Sequence, residues 1–433
     1  MPDLRQPGRR VVVTGMATIN PLGDQLDTYL EALLAGRSGI GPWRTLDARH
    51  LECRVGGDLG DYDTSAAFAR LRPRLPATMA RGAQRLMRAT NFSARLTMLT
   101  ALDAWCDAGL AGVDVDPWRV SVPVGGHNVN SRYIAGNAAR YREDPDTMDA
   151  LAGIHGLDTN VAGCVAEALQ ARGPTMTLGG ACASGNLALR AGWRDITSGE
   201  ADIAVVAGAP FDMTEMDVHA SATLSAVVVD PALQEDPTRA SRPFDVKRAG
   251  FVPSHGAATI VLESLDHARA RQARIRAELL GVYANGNGSH LPTPSWEMQA
   301  RLIRALLDAT GVPTDQVDYV NCHATSTPLG DGEESRALRE VFGAHAARLR
   351  VNAPKSMLGH TCWAAPLVET IGGILQMQVG RLHPSINVDT QDPAIGLDVC
   401  REGAVDHDVQ VMLKNAFGFG GINCSSLFAR EAA

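Results

Sequence analysis

The stretch T-L-G-G-A-C-A-S-G-N-L-A-L-R-A-G-W, Thr177 to Trp193, decides how the rest of the chain is read. Its lead-in ends at Gly179-Gly180, a pair able to take the backbone through a sharp bend. Leu187-Ala188-Leu189-Arg190 then supply good helix formers. Cys182 therefore falls at or near a helix start, where the dipole and free N–H groups favour a thiolate and lower a thiol pKa from about 8.5. The small neighbours Ala181, Ala183, Ser184 and Gly185 leave room for a substrate carbonyl. Taken alone, the stretch is equally consistent with a core cysteine at a tight turn, because free cysteine is commonly buried.

Outward from this stretch, strands alternate with helices. Arg10–Gly15, Arg119–Gly126, Thr175–Leu178, Asp202–Gly208 and Ala257–Glu263 read as strands. Pro21–Gly36 and Met87–Gly109 read as helices. A second series follows: strands at Ile275–Val282, Val317–Cys322, Leu349–Asn352 and Val409–Asn415, with helices at Trp296–Leu307, Glu334–Phe342 and Pro366–Val379. The pattern predicts α/β architecture with mainly parallel sheets. It restarts near residue 265, so two similar halves are expected, 1–265 with the cysteine and 266–433 beyond it. The charged segment Asp266–Arg276 crosses between them as a helix, and a frayed start is expected at Arg5–Gly8.

The 433 residues carry a net charge of −8 and no Lys/Arg-rich tract, which disfavours nucleic acid and anionic membrane surfaces as partners. No stretch reaches the length of a membrane span, and the first residues lack a signal sequence. The 8 cysteines include no C-x-x-C pair, so no metal site is expected. A cytoplasmic protein with reduced thiols fits these features.

A nucleophilic cysteine needs partners. His323, in N-C-H-A-T-S-T-P-L-G-D, and His360, in N-A-P-K-S-M-L-G-H, both follow expected strands, where α/β proteins gather their sites. Lys355 and Glu369 flank the second histidine. Asn415 to Asn423, N-A-F-G-F-G-G-I-N, interleaves glycine with phenylalanine and lacks the lysine of a phosphate loop. It is either a β-turn with core aromatics or a loop that lends a backbone N–H and moves a ring aside.

Together these motifs resemble the β-ketoacyl-acyl-carrier-protein synthases, the elongating condensing enzymes of the thiolase superfamily. The likeness runs through V-V-V-T-G-M, A-C-A-S-G, R-P-F-D-V-K-R-A-G-F-V, H-A-T-S-T-P-L-G-D, K-S-M-L-G-H and N-A-F-G-F-G-G, in order along the chain. It implies the thiolase fold, a five-layered α-β-α-β-α sandwich of two related halves. It implies that Cys182 takes an acyl chain as a thioester, and that His323 and His360 bind a malonyl thioester and stabilise the enolate left by decarboxylation. Lys355 orders the histidines with support from Glu369, and the N–H groups of Cys182 and Phe419 form an oxyanion hole. Thr325 and Thr327 bind the phosphopantetheine arm, and Phe419 acts as a gate. The substrates arrive on the phosphopantetheine of acyl carrier protein, with no further cofactor. A dimer is implied, either a homodimer or a heterodimer with a chain-length-factor-like chain.

Several positions depart from the family pattern. Ala324 replaces a glycine, and Trp363 and Pro366 stand where glycines are usual. The indole must fill the acyl pocket or push the next helix outward. Cys362 replaces a leucine at the pocket wall, and Asn128 and Asn130 would make the dimer-side pocket polar. Ser254–Ala257 and Ala220–Ser225 also differ, the latter lacking an arginine that contacts carrier proteins in relatives. A short, polar, aromatic or unsaturated acyl group is therefore expected, in polyketide or specialised fatty acid synthesis. Rival readings are a malonyl decarboxylase or a non-catalytic chain-length factor, which usually lack the cysteine or the histidines. A thiolase would need a second cysteine where Cys424 does not fit, and a binding protein would leave Cys182 as core.

Overall fold

A computed structural model describes residues 9–430; the frayed start expected at Arg5–Gly8 lies outside them. The first half contributes strands β1 (Val11–Ile19), β2 (Val120–Gly125), β3 (Thr175–Leu178), β4 (Ile203–Gly208) and β5 (Ala257–Ser264). The second contributes β6 (Ala277–Gly286), β7 (Tyr319–Asn321), β8 (Arg350–Asn352), the edge strand β9 (Asp398–Val399), β10 (Val411–Gly418) and β11 (Ile422–Ala429). The hydrogen-bonded order is β9-β8-β7-β10-β11-β6-β1-β5-β4-β2-β3.

Leaving out β9, each half repeats one topology, β3-β2-β4-β5-β1 and β8-β7-β10-β11-β6. In each, the first three strands of the order pair in parallel and the last two ladders are antiparallel. The sheets are thus mixed, not mainly parallel as expected: the last strand of each half returns between the middle strands and the first. The halves meet edge to edge where Val11, Val12 and Val13 pair with Leu279, Glu278 and Ala277.

The principal helices are α1 (Leu26–Leu34), α2 (Phe92–Asp107), α3 (Ser184–Thr197), α4 (Glu215–Thr223), α5 (Trp296–Thr310), α6 (Pro328–Phe342) and α7 (Ala365–Val379). α3 and α7 pack on strands of both halves; α2 covers the outer face of the first sheet and α5 that of the second. This is the expected five-layered thiolase-type sandwich. α7 is apolar nearly all round and buried over Ala365–Met377, the signature of a helix enclosed on every side. One of the two large cores joins β1, β4, α3 and α7 in the middle layer.

Two local readings are corrected. β1 does not end at Gly15 but runs on to Ile19. Gly15 is there because a Cβ would lie 2.3 Å from the Ala104 carbonyl of α2, so the glycine serves helix packing and not a turn. Met87–Gly109 is two helices, Ala77–Ala89 and α2, because Asn91 breaks the run as an N-cap, its side chain accepting the Ala94 N–H. Among the described residues, no helix is long and apolar enough to cross a membrane.

Candidate active site

Cys182 sits in one 3-10 turn, Ala181–Ala183, between β3 and α3. Ala181 has φ 47°, a left-handed conformation that costs a residue with a Cβ about 1–2 kcal/mol. Ser184 braces the turn: its hydroxyl donates to the Ala181 carbonyl at 2.7 Å and accepts the Gly180 N–H at 2.9 Å. The end of β10 lies directly on this turn. A Cβ on Gly418 would stand 2.4 Å from the Gly180 carbonyl, so only glycine permits the approach. It brings the Phe419 N–H, with that of Cys182 itself, to hydrogen-bond the sulfur.

Burial pushes the Cys182 thiol up to about 11; the charge of Lys355 and the two N–H groups offset only part of that. The expected lowering is therefore corrected: desolvation outweighs the helix start, and the resting side chain is a thiol. Alkylation of Cys182 by iodoacetamide, followed by peptide mass spectrometry, is expected to accelerate about tenfold per pH unit from pH 7 and to level only near the thiol's own pKa. A plateau already reached below pH 8 would show a resting thiolate instead.

His323 lies two residues beyond β7, and His360 follows β8 after the short helix Lys355–Leu358. The Cys182 sulfur and a ring nitrogen of each histidine lie within 4.8 Å of one another. The rings meet edge to face, with centroids 5.6 Å apart at 80°. Phe417 braces His323, and Phe251 braces His360. His360 Nδ1 accepts the Cys362 N–H at 3.2 Å, which leaves its hydrogen on Nε2; that atom is buried and has no partner. Burial first, then the charges of Lys355 and Lys414, hold both histidines well below 6.5; His360 adds to the effect on His323. Both rings are thus neutral N–H donors at ordinary pH. The same three side chains form a donor set that a soft divalent cation could use, but the neighbouring Lys355 charge opposes a cation there.

Lys355 Nζ lies 2.6 Å from Glu369 Oε1, deep in the protein. Two further residues escaped the sequence reading. Glu334 accepts the N–H groups of His323 at 2.9 Å and Ala324 at 2.8 Å, fixing the histidine's backbone. Lys414 lies 2.6 Å from the other Glu369 oxygen. The signal for Lys414 was present: a lysine inside the buried run V-M-L-K-N-A-F has no solvent to reach and needs a partner.

Two cavities open on Cys182. The outer one, about 200 Å³, is lined by Thr325, Thr327, Leu329 and Phe417. The inner one, about 100 Å³, is lined by Phe211, Met213, Cys362 and Trp363. Cys182, Phe251, His360 and Phe419 line both. Trp363 stacks against His127, centroids 4.2 Å apart, and Phe211, 5.1 Å apart. The indole is thus one wall of the inner cavity. Pro366 falls in the first turn of α7, where its missing N–H costs nothing. Asn128 is not brought here: its side chain is exposed, and its backbone N–H binds Asp158 Oδ2 at 2.8 Å. Larger clefts lie elsewhere, of about 330 and 470 Å³, and neither is lined by a cysteine.

The chain matches the Beta-ketoacyl synthase N-terminal domain over residues 8–268 and the C-terminal domain over 276–389. The chain belongs to the beta-ketoacyl synthase family. It is 32% identical to the 3-oxoacyl-[acyl-carrier-protein] synthase 2 of Coxiella burnetii, over 98% of this chain and 99% of that one. Among solved structures, the ishigamide ketosynthase/chain length factor aligns at TM-score 0.87 and 30% identity, over 98% of this chain and all of that one. A beta-ketoacyl synthase from Burkholderia phymatum STM815 aligns at TM-score 0.86 and 28% identity, with the same coverage. For this ketosynthase, the rival readings of a thiolase and of a binding protein without chemistry fall away.

Proposed function

We propose that this ketosynthase joins an acyl group held on Cys182 to a malonyl unit carried by acyl carrier protein, with loss of carbon dioxide. The reading rests on one observation, the convergence of the Cys182 sulfur with two neutral histidine rings under two aimed N–H groups. The Cys182 thiol first displaces the carrier's phosphopantetheine thiol from the acyl group, and its proton leaves on that thiol. Thr325 and Thr327, their hydroxyls 3.0 Å apart in the outer cavity, hold the phosphopantetheine arm.

The malonyl thioester carbonyl then receives hydrogen bonds from His323 and from His360 Nε2. Its carboxylate leaves as carbon dioxide, and the bond's electron pair becomes the enolate that the two donors stabilise. The enolate carbon attacks the Cys182 thioester. The tetrahedral oxyanion takes the Cys182 and Phe419 N–H groups, and collapse expels the Cys182 sulfur, a good leaving group. Phe419 stands where it must move aside as the acyl chain passes inward.

Intact-protein mass spectrometry tests the reading: acyl carrier protein bearing a cognate acyl group should add that acyl mass to Cys182, and malonyl carrier should then discharge it as a β-ketoacyl product. Failure to acylate Cys182 with any carrier-bound acyl group would refute it. A malonyl decarboxylase is disfavoured because it has no use for a thiol under an oxyanion hole. A non-catalytic chain-length factor is disfavoured for the same reason.

The small inner cavity, walled by the Phe211 and Trp363 rings, favours a short or planar unsaturated acyl group, in polyketide or specialised fatty acid synthesis. Trp363→Ala is expected to raise loading of a long saturated chain at least about tenfold, since one methylene in an apolar pocket is worth about 1–3 kcal/mol. Competitive loading from mixed carriers, read by mass, checks it. Exposed Ile134, Leu151, Ile154 and Leu157 form an apolar surface suited to a second subunit, identical or chain-length-factor-like.

A further inference from the structure

Lys414 is fully buried in the middle of β10, and its ammonium is enclosed by oxygen. Nζ lies 2.6 Å from Glu369 Oε2, 2.8 Å from the Asn415 carbonyl, 3.4 Å from that of Cys322 and 3.5 Å from that of Asn321. One carboxylate and three carbonyls around a single positive charge form the kind of cage that holds a small cation. Glu369 in turn spans two ammonium groups, Lys414 on one oxygen and Lys355 on the other. Burial lowers the pKa of Lys414, and Glu369 together with the nearby Glu334 opposes that and favours the ammonium form, so two ammonium groups and two carboxylates share the buried cluster behind the histidine pair.

The groups around Lys414 are Glu369, Lys355 and Glu334, with the Cys322 thiol adjacent. Those around the histidine rings are Lys355, Lys414 and the rings themselves, with the Cys182 thiol. Neither ring has a carboxylate partner, since Glu334 engages only the backbone of His323. Every charge that acts on the rings therefore opposes their protonation.

We propose that Lys414 is a positioning residue, an internal cation that sets Glu369 against Lys355 and keeps His323 and His360 uncharged at working pH. This deepens the condensing reading, which needs both rings neutral. A serine at this position would leave the oxygen cage open to an external cation of similar size, whereas methionine would fill it without charge.

The test uses Lys414→Met and Lys414→Ser in the full chain. ¹⁵N-histidine NMR, which needs no substrate, should show His323 and His360 titrating about one unit higher in the methionine variant, the usual effect of losing one nearby like charge. The acid limb of the pH–rate profile for malonyl decarboxylation should move by the same amount. The serine variant should gain activity and thermal midpoint with ammonium chloride and not with tetramethylammonium chloride, whose cation is too large for the cage. The unaltered chain and the methionine variant should respond to neither salt. Unmoved histidine titrations, or a serine variant indifferent to ammonium, would overturn the proposal. So would failure of both variants to fold in either salt, which would make Lys414 a purely structural residue. An unaltered chain that titrates as described but does not condense would instead refute the condensing reading and leave the Lys414 result intact.

Discussion

Cys182→Ala is expected to abolish chain elongation, a loss on the order of 10⁴-fold or more, as removal of a covalent nucleophile brings elsewhere. The substitution removes the only atom that can carry the acyl group between the two half-reactions. It leaves His323, His360 and the Lys355–Glu369 pair in place, because each is held by other partners: Glu334 on the His323 backbone, the Cys362 N–H on His360 Nδ1, and the 2.6 Å Lys355–Glu369 contact. Release of carbon dioxide from malonyl carrier should therefore continue at a rate comparable with the unaltered protein. Parallel assays of labelled carbon dioxide and of β-ketoacyl product separate the two steps. Elongation that survived the change would remove Cys182 from the mechanism, and loss of both activities would mean that the thiol also holds the malonyl carbonyl.

His360→Ala should give the opposite pattern. It deletes Nε2–H, a buried ring donor without a partner, and with it one of two hydrogen bonds to the enolate oxygen. Losing a single donor of this kind costs about 3–4 kcal/mol, so decarboxylation should fall roughly 10²–10³-fold. Acylation of Cys182 should persist, since that step uses the backbone N–H groups. His323→Ala is expected to behave alike, and the double variant should lose less than the product of the two single losses, because both rings serve one oxygen. Rapid-quench measurement of acyl loading beside carbon dioxide release reads all three variants. Loss of loading with decarboxylation intact would exchange the roles assigned to the two half-sites.

Much of the fold was legible in the sequence because its strands are buried runs with little ambiguity. Ile203–Gly208 and Ala257–Ser264 are enclosed along their whole length; the first has no polar side chain, and the second is apolar up to Leu262 but for Thr259. Boundaries failed where a single residue carried a tertiary meaning. Gly15 reads locally as a break, and its cause is the Ala104 carbonyl of a helix many residues away. The last strand, Ile422–Ala429, was not anticipated: polar N-C-S-S breaks the apolar run, yet these side chains are buried against the neighbouring strands. The Gly-Phe motif is accordingly the turn of a β-hairpin and not a free loop.

The sequence by itself determined the inventory of the site. A cysteine after a glycine bend and two histidines after strands could be named from their local context, whereas the lysine and glutamate beside the second histidine took their roles from the family resemblance. Tertiary structure alone decided the ionisation and the size of the site. Cys182 reads locally as a thiolate at a helix start, but desolvation by the surrounding layers keeps it a thiol. Asn128 reads as pocket lining and points to solvent, while Trp363 is drawn inward to stack between His127 and Phe211. Lys414 became visible as a partner of Glu369 only when β10 was laid beside β7, under α7. The reason is physical: a residue type and its neighbours in the chain set what chemistry is possible, whereas burial and opposing charge depend on which distant segments pack against it.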